Sequence, residues 1–138
     1  MSLKDKIQNF VDWTKKKIRH DINESKNKLY FREKEIWWTA LGKNIGSEMD
    51  GKHEFFSRPV LILKKYSGSM CFVLPLTTQI KLNSPPYQYK INLDGRLNAI
   101  NLSQGRTVSI KRLMQKEGVL DKVIFYDVFE KFVELLRK

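Results

Sequence analysis

Between Arg58 and Gln79 the chain runs Arg-Pro-Val-Leu-Ile-Leu-Lys-Lys, then Tyr-Ser-Gly-Ser, then Met-Cys-Phe-Val-Leu-Pro-Leu-Thr-Thr-Gln. Two short, almost unbroken apolar runs with a Ser/Gly turn between them predict a pair of buried antiparallel strands. This constrains the fold more than any other stretch. Strands of this length need further strands beside them, so a sheet must be built around the hairpin. Antiparallel pairing also sets the start of the first strand beside the end of the second. Arg58 and the Thr77-Thr78-Gln79 segment are therefore expected to meet at one rim, as a guanidinium beside two hydroxyls.

The flanking sequence supplies the other strands. Glu35–Leu41 is rich in aromatic and β-branched residues, as strands are. Tyr87, Tyr89, Ile91 and Leu93 alternate with polar residues, the pattern of a half-exposed strand. Residues 99–103 and 106–110 read as two more, with Gln104-Gly105 as a bend or bulge, and 110–113 as a short helical turn. Asp121 is an N-cap for a closing helix that carries Ile124, Phe125, Val128, Phe129, Phe132 and Leu136 on one apolar face. About six short strands with tight turns imply a small, strongly bent antiparallel barrel, SH3-like in size and mainly β, with a helix on the sheet.

The first 34 residues form a separate segment, and 35–138 the barrel. Residues 2–29 read as a helix, with Ser2 as cap and Leu3, Ile7, Val11, Ile18 and Ile22 as a narrow apolar stripe. Trp13 lies off that stripe, which predicts a contact on a second side. Ten Lys/Arg against five Asp/Glu through Lys34 give this segment +5 of the chain's net +11. A surplus of that size points to a polyanionic partner. The acidic residues of the helix argue against a membrane-surface role.

Residues 42–57 have no periodicity. A loop of that length in a compact domain is usually functional or disordered, and Phe55 and Phe56 are expected to pin its end. Metal-site chemistry has little to work with, because the two His, His20 and His53, and the single Cys71 form no ligand pattern. Cys71 reads as a buried, reduced core residue. No disulfide within the chain is possible, which fits the cytoplasm, and no apolar run is long enough to span a bilayer.

Six fragments in order, Glu35-Ile-Trp-Trp38, Leu41-Gly-x-Asn-x-Gly-Ser-Glu48 with Asp50-Gly51, Arg58-Pro-Val-Leu-Ile-Leu63, Pro75-Leu-Thr-Thr-Gln79 and Ser103-Gln104-x-Arg106-Thr107, resemble the PemK/MazF toxins of type II toxin–antitoxin systems. The resemblance covers 35–138 and leaves the basic helix outside it. It implies an SH3-like barrel, a homodimer whose groove takes single-stranded RNA, metal-independent endoribonuclease activity without a cofactor, and a small cognate antitoxin. Carried over by position, Arg58 and Thr77 correspond to the active-site pair, Ser47 and Glu48 to the adjacent loop, and Gln104 to the groove wall. Two features depart from the pattern. The residues His53–Ser57 lengthen the loop, and Asn101 and Ser103 stand where some members carry an Arg and an acid.

Residue chemistry alone supports the same assignment. Metal-free RNA cleavage uses the neighbouring 2′-OH as nucleophile, and the charge that builds on the phosphate calls for a planar guanidinium and a hydroxyl. Thr78, Gln79, Lys81 and Arg106 are the expected contacts to the RNA backbone, and Trp37 or Trp38 a base-stacking platform. The alternative is an RNA-binding module on the same barrel that does not cleave. A gyrase poison of the CcdB type, which shares the barrel, ends in Trp-Gly-Ile, whereas this chain ends in Leu-Leu-Arg-Lys.

Overall fold

The computed structural model describes residues 1–24, 29–53 and 55–138. A helix, α1 (Leu3–Ile22), is followed by strands β1 (Glu35–Ala40), β2 (Ser57–Lys65), β3 (Met70–Thr77), β4 (Gln88–Leu93), β5 (Arg96–Asn101), β6 (Arg106–Ser109) and β7 (Leu113–Val119), and then by a closing helix, α2 (Lys122–Arg137). The strands form one curled antiparallel sheet in the order β4-β5-β3-β2-β1-β7, with β6 also pairing β3. The architecture is the SH3-like barrel expected, with a helix at each end of the chain packed on it.

The unbroken apolar run of β2 has a simple cause. Pleating sends alternate side chains to opposite faces, and here both faces are covered. Val60 and Ile62 enter one core with Trp37, Cys71, Val73 and Leu113. Leu61 and Leu63 enter the other, with Leu74, Leu76 and Ile100, against Phe125 and Val128 of α2. The Asp121 carboxylate accepts from Val123 N and Ile124 N, which caps α2 as expected. The short helical turn is a 3-10 turn at Ile110–Arg112.

Three expectations need correcting. The sheet has seven strands, because Leu113–Val119 also pairs with β1. Its sequence, Leu-Met-Gln-Lys-Glu-Gly-Val, does not alternate, and only the free edge of β1 makes it a strand. The fifth strand is Arg96–Asn101, earlier than 99–103. The helix expected over 2–29 ends at Ile22, where Asn23 is its C-cap; residues 25–28 of that span lie outside the described residues.

α1 docks by a face other than its stripe. Ser2 and Asp5 form a capping box at its start. Leu3, Ile7, Val11, Ile18 and Ile22 are all exposed, and the buried residue is Trp13, at 6% exposure. Its indole lies against Phe56, ring centroids 5.7 Å apart, with the Arg112 guanidinium 5.8 Å from the ring. Beneath it is Gly42, at φ +81°, where a Cβ would sit 2.1 Å from Trp13 Cε2. The predicted second-side contact is therefore what holds the helix to the barrel.

Candidate active site

The β2–β3 register pairs Val60 with Pro75 and Leu61 with Leu74. Continued by two residues, it sets Arg58 opposite Thr77, at the rim where the sequence placed them. Both are nearly buried, at 8% exposure each. Arg58 Nη1 donates to Leu76 O at 3.1 Å and Nε donates to Asp50 O at 2.8 Å. The two carbonyls fix the plane of the guanidinium, and they engage two of its five N–H donors. Burial pushes the Arg58 pKa below its ordinary value, against the opposing field of the Asp50 carboxylate. Thr77 Oγ1 accepts from Gln79 N at 3.1 Å, which orients the hydroxyl and tightens the turn out of β3.

Arg58, Thr77 and Thr78 line a cleft of about 490 Å³. Trp38 and Glu117 form part of its wall, and the Trp38 indole N–H donates to Glu117 Oε2 at 3.0 Å. Of the two adjacent tryptophans, Trp37 is core and holds Glu35 through its indole N–H, whereas the half-buried Trp38 faces the cleft. The β4–β5 turn contributes Asp94, and β5 contributes Arg96 and the buried Asn98. Sequence reasoning missed these residues. An Asp-Gly turn reads only as a turn until the curl of the sheet carries it over the end of β3.

The remaining candidates separate into two groups. Glu48, Gln104 and Arg106 line a second cleft, of about 320 Å³. There Gln104 is a clamp on the loop, since its Oε1 accepts from Met49 N at 3.1 Å and its Nε2 donates to Ser47 O at 3.2 Å. Glu48 accepts from Ile45 N through Oε1. Gln79 and Lys81 lie on the far side of Thr78 against β4, where Gln88 bridges Gln79 O and Lys81 N.

The described residues of the 42–57 loop fold back on one another. Asp50 holds Lys43 Nζ at 3.0 Å and accepts from Asn44 N. Gly51 lies so close to Phe56 O that a Cβ would meet that oxygen at 1.6 Å. Phe56 pins the loop as expected, whereas Phe55 is exposed. Asn101, one of the departures from the family pattern, is buried, and its Oδ1 accepts from Ser103 N at 3.0 Å and from Ser103 Oγ at 2.7 Å. The two departing residues hold each other. Among the described residues no three His, Cys, Asp or Glu side chains gather as a metal ion would require, and no helix is long and apolar enough to cross a membrane.

Fold and site together define a small curled barrel with a guanidinium and a hydroxyl fixed at the rim of a cleft. The chain belongs to the PemK-like, MazF-like toxins of type II toxin–antitoxin systems, whose family profile matches residues 32–136. Solved structures share the fold. MazF from Deinococcus radiodurans superposes with a TM-score of 0.63 at 18% identity, over 79% of this chain and 99% of that one. An endoribonuclease in complex with its cognate antitoxin, from a mycobacterial species, gives 0.60 at 13% identity, over 78% and 95%. The Mycobacterium tuberculosis toxin MazF-mt6 gives 0.55 at 15% identity, over 75% and 96%. No curated protein matches by sequence.

Proposed function

We propose that this chain is the toxin of a type II pair and a metal-independent endoribonuclease that cuts single-stranded RNA. The observation that carries the reading is Arg58, held in plane by Asp50 O and Leu76 O beside the oriented hydroxyl of Thr77. In the reaction the ribose 2′-hydroxyl gives its proton to solvent as its oxygen attacks the adjacent phosphorus, and the P–O5′ bond breaks. The products are a 2′,3′-cyclic phosphate and a 5′-hydroxyl, the latter taking a proton as it leaves. Arg58 meets the charge on the non-bridging oxygens and donates a proton to the leaving group; Thr77 adds a neutral hydrogen bond. Thr78, Gln79, Lys81 and Arg106 contact the RNA backbone, Trp38 stacks on a base, and Gln104 keeps Ser47 and Glu48 in place. The working form is a homodimer, whose second copy closes the cleft, and a small antitoxin protein restrains it.

Arg58→Ala should lose at least about two orders of magnitude in cleavage rate with the fold retained, and Thr77→Ala should lose less. Cleavage should continue in EDTA, and RNA with a 2′-deoxy substitution at the cut site should bind but stay whole. A need for Mg²⁺, cleavage of the deoxy substrate, or full activity in Arg58→Ala would refute the mechanism. One observation favours binding without cleavage: the Asn101 and Ser103 side chains engage each other and supply no charged group. Failure of well-folded wild type to cut any RNA, while still binding it, would select that reading.

A further inference from the structure

A third cleft, of about 670 Å³, lies between α1 and the barrel. One wall is α1, presenting Lys15, Lys16 and Arg19; the other is the loop, at Lys43, Gly51 and His53. His53 also lines the Arg58–Thr77 cleft, so the two clefts meet at that residue. Charge in the new cleft is net positive among the described residues. Lys43 is neutralised by Asp50 at 3.0 Å, and Lys15, Lys16 and Arg19 outnumber the carboxylate of Asp12, which accepts from the neutral Gln8 Nε2 at 2.8 Å and keeps its charge. Lys15, Lys16 and Arg19 form no ion pair with any described residue. Lys16 lies 5.6 Å from the centroid of the exposed Phe55 ring, which places an aromatic face beside the cations. Phosphates and bases of a single strand are recognised by this combination. Three cations against one carboxylate on this wall leave a positive surplus that an anionic ligand would offset, and the helix is oriented by the Trp13 anchor so that they line the cleft.

We propose that α1 extends the RNA-binding track beyond the barrel, with Lys15, Lys16 and Arg19 taking backbone phosphates of the strand as it leaves the Arg58–Thr77 cleft past His53. This rests on the RNA reading above and assigns a subsite to a helix that lies outside the matched family region. Its consequence is a dependence on substrate length. A short RNA confined to the catalytic cleft gains nothing from α1, and a longer one does.

The test uses full-length protein and two fluorescent single-stranded RNAs made uncleavable by 2′-deoxy substitution, one just spanning the cut site and one extended on both sides. Lys15→Gln/Lys16→Gln/Arg19→Gln removes three charges from the cleft. Lys4→Gln/Lys6→Gln/Lys122→Gln removes three elsewhere. Circular dichroism checks that helix content is kept. For the long RNA, the cleft variant should lower the slope of log affinity against log salt by about two, from about 0.7 per phosphate contact. It should bind the long RNA about tenfold or more weakly at low salt and leave the short RNA unchanged, and the control variant should fall well short of that loss. Equal losses on both RNAs, losses no larger than the control's, or no loss would overturn the α1 track while leaving the nuclease reading intact. Wild type that binds neither RNA would remove the nuclease reading, and the α1 track with it.

Discussion

Gly42→Ala should act through Trp13, which is 29 residues earlier in the chain. Gly42 sits at φ +81°, and an added methyl would lie 2.1 Å, 2.3 Å and 2.4 Å from three atoms of the indole. The left-handed backbone alone costs an alanine about 1–2 kcal/mol. The overlap cannot be relieved by a small shift, so the indole must leave its seat. Burying a tryptophan is worth about 3–5 kcal/mol by the cost of truncating one, and Trp13 is the only buried residue of α1. Gly42→Ala should therefore lose both terms in the wild-type background. In Trp13→Ala, where nothing stands over Gly42, it should lose only the backbone term. The two backgrounds should differ by at least about 2 kcal/mol, a coupling that a double-mutant cycle measures. Urea unfolding gives the global part. Amide exchange over Leu3–Ile22 gives the local part, because either substitution should strip α1 of protection while β2 and β3 keep theirs. Equal costs for Gly42→Ala in both backgrounds, or unchanged α1 protection in Trp13→Ala, would refute this account of how the helix is held.

Glu35 is buried, and burial alone would raise its pKa. Hydrogen bonds from Trp37, Lys116 and Arg32 N outweigh that and lower it. A carboxyl whose folded pKa is depressed contributes stability above its unfolded pKa and loses it as the pH falls through the folded value. Stability, and with it the melting temperature, should thus fall with acid below the ordinary carboxylate range, and Glu35→Gln should flatten that part of the profile. Burial pushes the Cys71 thiol up to about 11, against the pull of Lys65, so a thiol reagent at pH 8 should label native protein only as fast as it unfolds. Gln104→Leu removes both clamps on the loop at Ser47 and Met49; amide exchange at Met49 should quicken with the melting temperature almost unchanged, and an unaltered exchange rate would mean that the loop is held by Asp50 and Asn44 alone.

The local sequence determined much of this protein by itself. The Arg58–Gln79 hairpin carries its own antiparallel pairing, because two apolar runs and a Ser/Gly turn bring Arg58 to the Thr77–Gln79 segment, and the bulge between Ile62 and Lys64 then sets Arg58 opposite Thr77. Asp121 and the apolar face behind it fix α2 in the same local way. The charge surplus of the first 34 residues is likewise composition, legible without any fold.

Tertiary structure decided the rest. β7 exists because β1 has an edge to satisfy, and its own residues carry no strand period. Asp94, Arg96 and Asn98 reach the cleft only because the sheet curls. The choice between Trp37 and Trp38 follows from which face of β1 is enclosed. α1 shows the difference most plainly. Its periodic stripe describes a helix correctly and does not name the face that docks on the barrel, since hydrophobic periodicity records which residues could be buried together. Which residue is buried depends on a complementary surface, here the bare backbone of Gly42 and the ring of Phe56, and those are assembled from parts of the chain that meet only when the barrel closes.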